Sequence, residues 1–317
     1  MTILSDDEFL RMWEIHKGSP QKMSLATGIA LRLIYARRRK LEAKHGIEIR
    51  ARQEKLFIEK HSARINVPIE NGVAIIFSDA HFWDFTPSTA YRALIKYIEE
   101  LKPSLIVCNG DAFDGASVSR HGRIGFLENR PTVIEELNAC KAMLGNIEDV
   151  AKKVKPNPVL TWTLGNHDSR FETYLAAVAP QFEFVDGFHL KDHFPNWKPC
   201  WATWVNDNVC IKHRWKGGVH ATHNNALGSG TTMVTGHLHS LKITPYTDYT
   251  GTRYGVDTGT LAEIDGDQFL NYTEDNPKNW RSGFAVLTFH KGKLLPPELV
   301  EVIDDGLVAF RGKAIEV

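Results

Sequence analysis

The sequence predicts an α/β fold carrying a small all-α segment at its N-terminal end, and three observations support that reading. In residues 1–46, apolar side chains recur at helical spacing between capping residues. From Val73 onward, short apolar runs alternate with amphipathic stretches, as strands alternate with the helices that cover them. The chain has 317 residues, 43% hydrophobic and 24% charged, enough for one large core and an appendage. The boundary is expected near residue 66, with a helical segment and linker over 1–66 and the main domain over 67–317.

Three short helices are expected in the head. Ser5 and Glu8 form a capping box, followed by Phe9, Met12, Trp13 and His16 at helical spacing. Gly18-Ser19-Pro20 breaks that helix. Pro20 suits the first turn of the next one, whose apolar side is Met23, Leu25 and Ala26. Thr27-Gly28-Ile29 reads as a tight turn. A third helix follows over about 30–45, with Leu31, Ile34, Tyr35 and Leu41 inward and Gly46 ending it. Residues 47–71 read as a polar, basic and partly helical connection.

In the main domain, residues 73–77 form a buried strand ending at Ser78-Asp79. Ser88 caps a helix running to Leu101, and Pro103 stops the chain beyond it. Residues 105–108 are a second strand, leading into Gly110-Asp111 and then a loop over 113–130. Pro131 opens a long helix to about Val154, and 159–163 form a third strand ending at Gly165-Asn166. Beyond Pro180 the chain is strand-rich. Asn206-Asp207-Asn208 and Thr250-Gly251 read as hairpin turns, 209–212, 233–235 and 284–289 as strands, and 219–227 as a helix.

The 38 basic and 38 acidic residues cancel overall but are unevenly placed. Residues 1–66 hold 14 Lys/Arg against 8 Asp/Glu, a net of +6, which leaves the remainder at −6. A basic head on an acidic body points to an anionic partner for the head and a cation-holding site in the body. Four cysteines without a CxxC pair read as reduced thiols of an intracellular, cytoplasmic protein. The first residues lack a basic stretch followed by an apolar one, and no run of about 18 apolar residues occurs, so neither a signal peptide nor a membrane span is expected.

Five groups of polar residues follow apolar strands: Asp79-Ala80-His81, Gly110-Asp111 with Asp114, Gly165-Asn166-His167-Asp168, His213, and Gly236-His237-Leu238-His239. Ligands collect at the C-terminal ends of strands in open α/β sheets. Carboxylate, imidazole and amide oxygen suit divalent ions such as Mn, Zn, Fe or Mg. In extended backbone, residues two apart point to one side, so both members of Asp79/His81 and of His237/His239 are expected to reach one site. Gly110, Gly165 and Gly236 are expected where the backbone turns sharply.

The ordered set D-x-H, GDxxD, GNHD, H, GHxH resembles the calcineurin-like metallophosphoesterase family over about residues 73–290. The resemblance implies a four-layer α/β/β/α sandwich and two divalent metal ions, Mn first, with Zn, Fe, Mg or Ni as alternatives. It implies Asp79, His81 and His239 on one metal, Asn166, His213 and His237 on the other, and Asp111 bridging. Such a pair lies about 3.5–4 Å apart and lowers the pKa of the water it shares. His167 resembles the family's catalytic histidine, which protonates the leaving oxygen, and Asp114 and Asp168 would orient ligands or His167. His213 departs from the pattern in one respect: Arg214 follows it where the family usually has Gly, and His220 and His223 are competitors nearby.

Arg120, His121 and Arg123, in the loop after the second strand, are expected phosphate contacts, with a solvated loop as the alternative. The head resembles helix-turn-helix domains, and Arg32, Arg37, Arg38, Arg39 and Lys40 on its third helix are expected on DNA phosphates. An amphipathic hairpin with a solvated basic face is the alternative. The expected function is therefore a DNA-acting phosphodiesterase or nuclease, of a kind that phage or mobile elements carry. The alternatives are a phosphatase or phosphodiesterase of small nucleotides or phosphoproteins, and a non-enzymatic DNA-binding regulator. Gly115 and Asp168 stand where the protein-phosphatase branch usually has Arg and Glu, which speaks against that branch.

Overall fold

The computed structural model describes residues 4–16, 18–47, 49, 62–120, 130–273 and 276–317. The chain forms two compact units, Met1–His61 and Ser62–Val317. Among the described residues, no helix is long and apolar enough to cross a membrane.

The first unit contains α1 (Asp6–Ile15), α2 (Pro20–Thr27) and α3 (Leu31–His45). Ser5 Oγ accepts from the Glu8 amide, and the Glu8 carboxylate accepts from the Ser5 amide, so both N-terminal donors are satisfied. Ser19 caps α2 ahead of Pro20, and Gly28 ends it at φ +69°. The turn into α3 closes on itself: Ser24 Oγ donates to Ile29 O, and Thr27 Oγ1 accepts from the Ile29 amide. Phe9, Trp13, Met23, Ile34, Leu41 and Ile49 form the core. Leu31, expected inward, is exposed, and the inward positions of α3 are Ile34 and Leu41.

The expected basic face of α3 divides in two. Arg37 pairs with Asp6 at 2.8 Å, and Lys44 joins the same carboxylate at 2.6 Å. Arg38 lies over the Trp13 and Tyr35 rings, 5.9 Å from each centroid, and faces Glu42. These side chains hold α1 to α3. Arg32, Arg39 and Lys40 point to solvent.

The second unit is two packed sheets between helices. In chain order its elements are β1 (Arg64–Val67), β2 (Gly72–Phe77), α4 (Thr89–Leu101), β3 (Leu105–Cys108), α5 (Val133–Val154), β4 (Val159–Thr163) and α6 (Asp168–Val178). There follow β5 (Lys198–Cys200), β6 (Ala202–Val205), β7 (Val209–Ile211), α7 (Ala221–Ser229), β8 (Thr232–Thr235), β9 (Lys242–Asp248) and β10 (Gly251–Asp257). The chain closes with α8 (Leu270–Thr273), β11 (Gly283–His290), β12 (Lys293–Leu294), β13 (Glu298–Asp304), β14 (Leu307–Phe310) and β15 (Lys313–Glu316). Ser88 caps α4 as expected, but α5 starts after Thr132, whose capping box with Glu135 displaces the start expected at Pro131.

One sheet has nine strands in the order β15-β14-β13-β11-β2-β3-β4-β5, with β12 on β11; the other has six in the order β1-β6-β7-β8-β10-β9. β2, β3, β4 and β5 are mutually parallel, with Ile76 opposite Val107 and Cys108 opposite Trp162. β1, paired in parallel with β6, lies where a connection was expected. It straddles the expected boundary at residue 66, so the sheet begins a few residues earlier than the hydrophobic pattern suggests.

Period-two alternation on β2 explains the layers. Ile75 and Phe77 pack with Tyr91, Leu94, Leu144 and Ile147 of α4 and α5. Ala74 and Ile76 face the other way, against Val205, Ile211, Val234 and Val256 of the second sheet. α7 covers the outer face of that sheet, over β8, β9 and β10. The order α, β, β, α is the four-layer sandwich.

Candidate metal centre

Every expected ligand lies just past the C-terminal end of a strand: Asp79 and His81 after β2, Asp111 after β3, Asn166 after β4, His213 after β7, His237 and His239 after β8. These ends come together where the two sheets meet. Donor atoms of Asp79, His81 and His239 lie within 4.8 Å of one another, as do those of Asp111, His213 and His237, and those of His81, Asp111 and His167. His220 and His223 are exposed and belong to none of these groups, whereas His213 is buried.

The backbone at these residues is not extended. Asp79 (φ +52°), His81 (+41°), Asp111 (+54°), His237 (+74°) and His239 (+54°) are all left-handed. Asp79 and His81 therefore converge because the chain coils at each residue, and not by strand alternation, whereas His237 and His239 reach different groups. Such backbone costs roughly 1–3 kcal/mol per non-glycine residue and persists only where its surroundings enforce it. Here they do: beyond the strands, the Asp79 amide donates to Gly110 O, His81 to Asp111 O, and Gly236 to His213 O. Gly165 and Gly236 are needed for room rather than for their own angles. A Cβ on Gly165 would sit 2.0 Å from Asp111 Oδ1, and one on Gly236 would sit 2.6 Å from Asp79 Oδ2.

Several donor atoms are buried without a hydrogen-bond partner: His81 Nε2, Asn166 Oδ1, His213 Nε2 and His239 Nδ1. A buried polar atom left alone is costly, and three of these belong to rings whose other nitrogen is engaged. His81 Nδ1 lies 2.8 Å from Asp114 Oδ1, and His213 Nδ1 lies 2.7 Å from the Asn109 carbonyl, which directs the lone pair of each Nε2 inward. His239 Nε2 lies 3.1 Å from Asp79 Oδ1. His213 Nε2 is 3.0 Å from Asp111 Oδ2 but without hydrogen-bond alignment. The donor set fits divalent cations.

Charge in the centre is finely opposed. Burial raises the Asp111 carboxyl, but His213 beside it outweighs that and holds it well below the usual carboxylate range. Burial also disfavours a charged His213, yet Asp111 and Asp79 raise it to about 10. Burial lowers His81 more than its Asp114 contact raises it. Cations and protons therefore compete for the same lone pairs.

Asp114 and His167 form a second tier. Asp114 Oδ1 lies 2.8 Å from His81 Nδ1 and 2.9 Å from His167 Nδ1, so one carboxylate orients both rings. The His167 amide donates to Asp111 Oδ1 at 2.8 Å. Of the two roles expected for Asp168, it takes the one toward an expected ligand, since no hydrogen bond joins it to the His167 ring and it accepts from the Asp111 amide. Its Oδ2 accepts from the amides of Asp111 and Gly165 and from Trp162 Nε1, and its Oδ1 accepts from the amides of Ala112 and Phe113. It pins the loop that carries Asp111. Asp168→Asn puts an –NH₂ against at least two of these five donors. At about 1–3 kcal/mol for each stranded group, the metal-free protein should lose about 2–6 kcal/mol. Urea unfolding with an unchanged midpoint would refute this role.

Arg120 is exposed, and His121 and Arg123 lie outside the described residues. Of the tryptophans, Trp197 is buried against Phe77, Trp204 lies under Arg64, and Trp201 and Trp215 are exposed. Sequence reasoning missed the Asn109 carbonyl, the Phe269 and Trp280 rings that wall His239 at 5.5 and 4.4 Å, and Arg170 on His167. Only Arg170 left a signal, one helical turn after His167.

A family model described as calcineurin-like phosphoesterase matches residues 73–291. Gene 54 protein of Mycobacterium phage L5 is 27% identical over 265 residues, covering 77% of this chain and 98% of its own. Chaetomium thermophilum Vps29 aligns over 77% of this chain and 97% of its own, at 10% identity and TM-score 0.38. Yfce, a phosphoesterase from E. coli, aligns over 71% and 97% at 15% identity and TM-score 0.31. The Pseudomonas putida nuclease MPE aligns over 70% and 86% at 13% identity and TM-score 0.30.

Proposed function

Because the chain belongs to the calcineurin-like phosphoesterase family and is thus a metal-dependent phosphoester hydrolase, we propose that it cleaves phosphodiester bonds of nucleic acid, DNA first, at a two-metal centre. The observation that carries the catalytic reading is the set of unpartnered donor atoms gathered at four strand ends beside Asp111 and His167. Asp79, His81 and His239 would hold one ion, Asn166, His213 and His237 the other, with Asp111 between them. When bound, the pair supplies Lewis acidity and a nucleophilic water near neutral pH. Asp114 holds His81 and His167 in fixed orientation, and His167 hands a proton to the leaving oxygen from Nε2. Asp168 keeps the Asp111 loop in register.

The nucleic-acid part rests on the head. Its short α2, left-handed Gly28 and longer α3 have helix-turn-helix proportions, and Arg32, Arg39 and Lys40 are exposed on α3. Replacing those three by Gln should weaken DNA binding and reduce the log–log salt slope by about 0.9 for each phosphate that is no longer neutralised. Hydrolysis of a small aryl phosphodiester should stay unchanged. Equal DNA affinity of parent and variant across a salt series would make the head a structural prop. Arg37 and Arg38 are unsuitable for this test, since they hold the head together.

One observation favours a second reading, a small-molecule phosphodiesterase. A cleft of about 560 Å³ opens beside His81, and among the described residues Asp84, Glu263, Asp267 and Asp305 line it against Arg92. Such a wall repels a polyanion. A Mn-supplemented panel of single- and double-stranded DNA, RNA, cyclic nucleotides and phosphopeptides decides between the readings. Turnover of DNA is expected, and turnover confined to cyclic nucleotides or phosphopeptides would replace the nuclease reading.

A further inference from the structure

Arg170 sits in the first turn of α6, and its guanidinium is largely buried against the centre. Nη1 donates to the Asp114 carbonyl at 3.0 Å, Nη2 lies 3.1 Å from His167 Nε2, and the Asp114 carboxylate is 3.8 Å away. Its stem rests on the bare backbone of Gly115. A Cβ there would sit 3.2 Å from Arg170 Cβ and 3.3 Å from its Cδ, and Gly115 is itself left-handed at φ +68°. A side chain at position 115 would crowd the Arg170 stem and require it to shift by a few tenths of an ångström.

His167 Nδ1 faces only acceptors, Asp114 O and Oδ1, at 3.0 and 2.9 Å. The Nδ1 position therefore carries a proton, and Nε2 is the atom left to meet substrate. Arg170 occupies that atom. A leaving oxygen must come within about 2.6–3.2 Å of the nitrogen that protonates it. The phosphoryl group it belongs to then falls within reach of the same guanidinium. An imidazole nitrogen is a poor partner for a guanidinium compared with a charged phosphoryl oxygen, with which the hydrogen bond is charge-assisted and bidentate.

We propose that Arg170 is a substrate-binding residue, whose guanidinium exchanges His167 Nε2 for the non-bridging oxygens of the scissile phosphoester. The exchange frees the Nε2 lone pair to take up a proton from water, which it hands to the leaving oxygen once the phosphoryl group is seated. It also makes Gly115 the residue that admits Arg170. The inference rests on the phosphoester-hydrolase reading, and it assigns the phosphate contact to α6 rather than to the loop carrying Arg120.

The test uses the full-length, Mn-loaded protein and its Arg170→Ala and Arg170→Lys variants, with inorganic phosphate as the probe in calorimetric titration. Arg170→Ala should keep its manganese and bind phosphate about 10- to 100-fold more weakly, the worth of a charged hydrogen-bonding pair. Arg170→Lys keeps the stem on Gly115 and the charge, and should recover part of the loss. Added guanidinium chloride should restore turnover of an aryl phosphodiester in Arg170→Ala, which a purely structural role would not allow. Unchanged phosphate affinity in both variants, or manganese lost in both, overturns the proposal. If the parent turns over no phosphoester at all, the hydrolase reading fails instead, and the phosphate titration still reports on Arg170 separately.

Discussion

Asp111→Ala should strip the protein of bound metal and reduce phosphoesterase activity by at least about 10⁴-fold, toward the uncatalysed rate. Asp111 is common to two of the three groups of converging donors. Its Oδ2 is 3.0 Å from His213 Nε2, and its Oδ1 receives the His167 amide. Without it, neither metal position keeps a shared oxygen, and His213 loses its nearest counter-charge. The loop itself should survive, since Asp168 holds it through the backbone amides of residues 111–113. Metal analysis after dialysis against Mn, paired with circular dichroism, measures this. A folded variant that still carries about two ions per chain would show that Asp111 does not bridge.

His167→Ala should retain metal yet lose about 10²–10⁴ in kcat, the usual worth of general acid help. Burial disfavours a charged His167, but the Asp114 hydrogen bond together with the charges of Asp111 and Asp114 outweighs it and raises the ring above the ordinary histidine value. The shift favours the protonated ring that an acid needs. The loss should shrink for aryl leaving groups, which need little protonation. His167 also belongs to a group of converging donors with His81 and Asp111. Metal falling in step with activity would therefore make it a ligand and end its assignment as the acid.

Local signals were legible in the sequence where the physics is local. Ser5 with Glu8, Ser88 before α4, and Gly46 after α3 are caps that a few neighbouring residues decide. The strand ends carrying Asp79, Asp111, Asn166 and His213 were legible because an apolar run stops at a polar residue. Features that depend on distant packing were not. β1 has too little apolar character to announce itself and exists through its pairing with β6. Arg37 and Arg38 look like any basic residues until Asp6, Trp13 and Tyr35 are brought beside them. Asp168 reads as part of a motif, yet three of its five donors come from residues 111–113, more than fifty positions away. The alternation argument expected these side chains to meet for the wrong reason, since backbone angles are invisible in the residue order.

Those left-handed ligands set a direction for decay. At Asp79, His81, His237 and His239 the native side chain would, on the proposed reading, serve the ion, while the backbone beneath it would sit more easily as glycine. Substitution by glycine at such a position removes the chemistry and relieves the main chain in one step. Where the lost side chain holds no neighbour, unlike Asp79 with the His237 amide, an inactive descendant can fold as well as the parent, and a screen for thermal resistance alone would drift toward it. Only a selection that reads turnover can keep these residues in place.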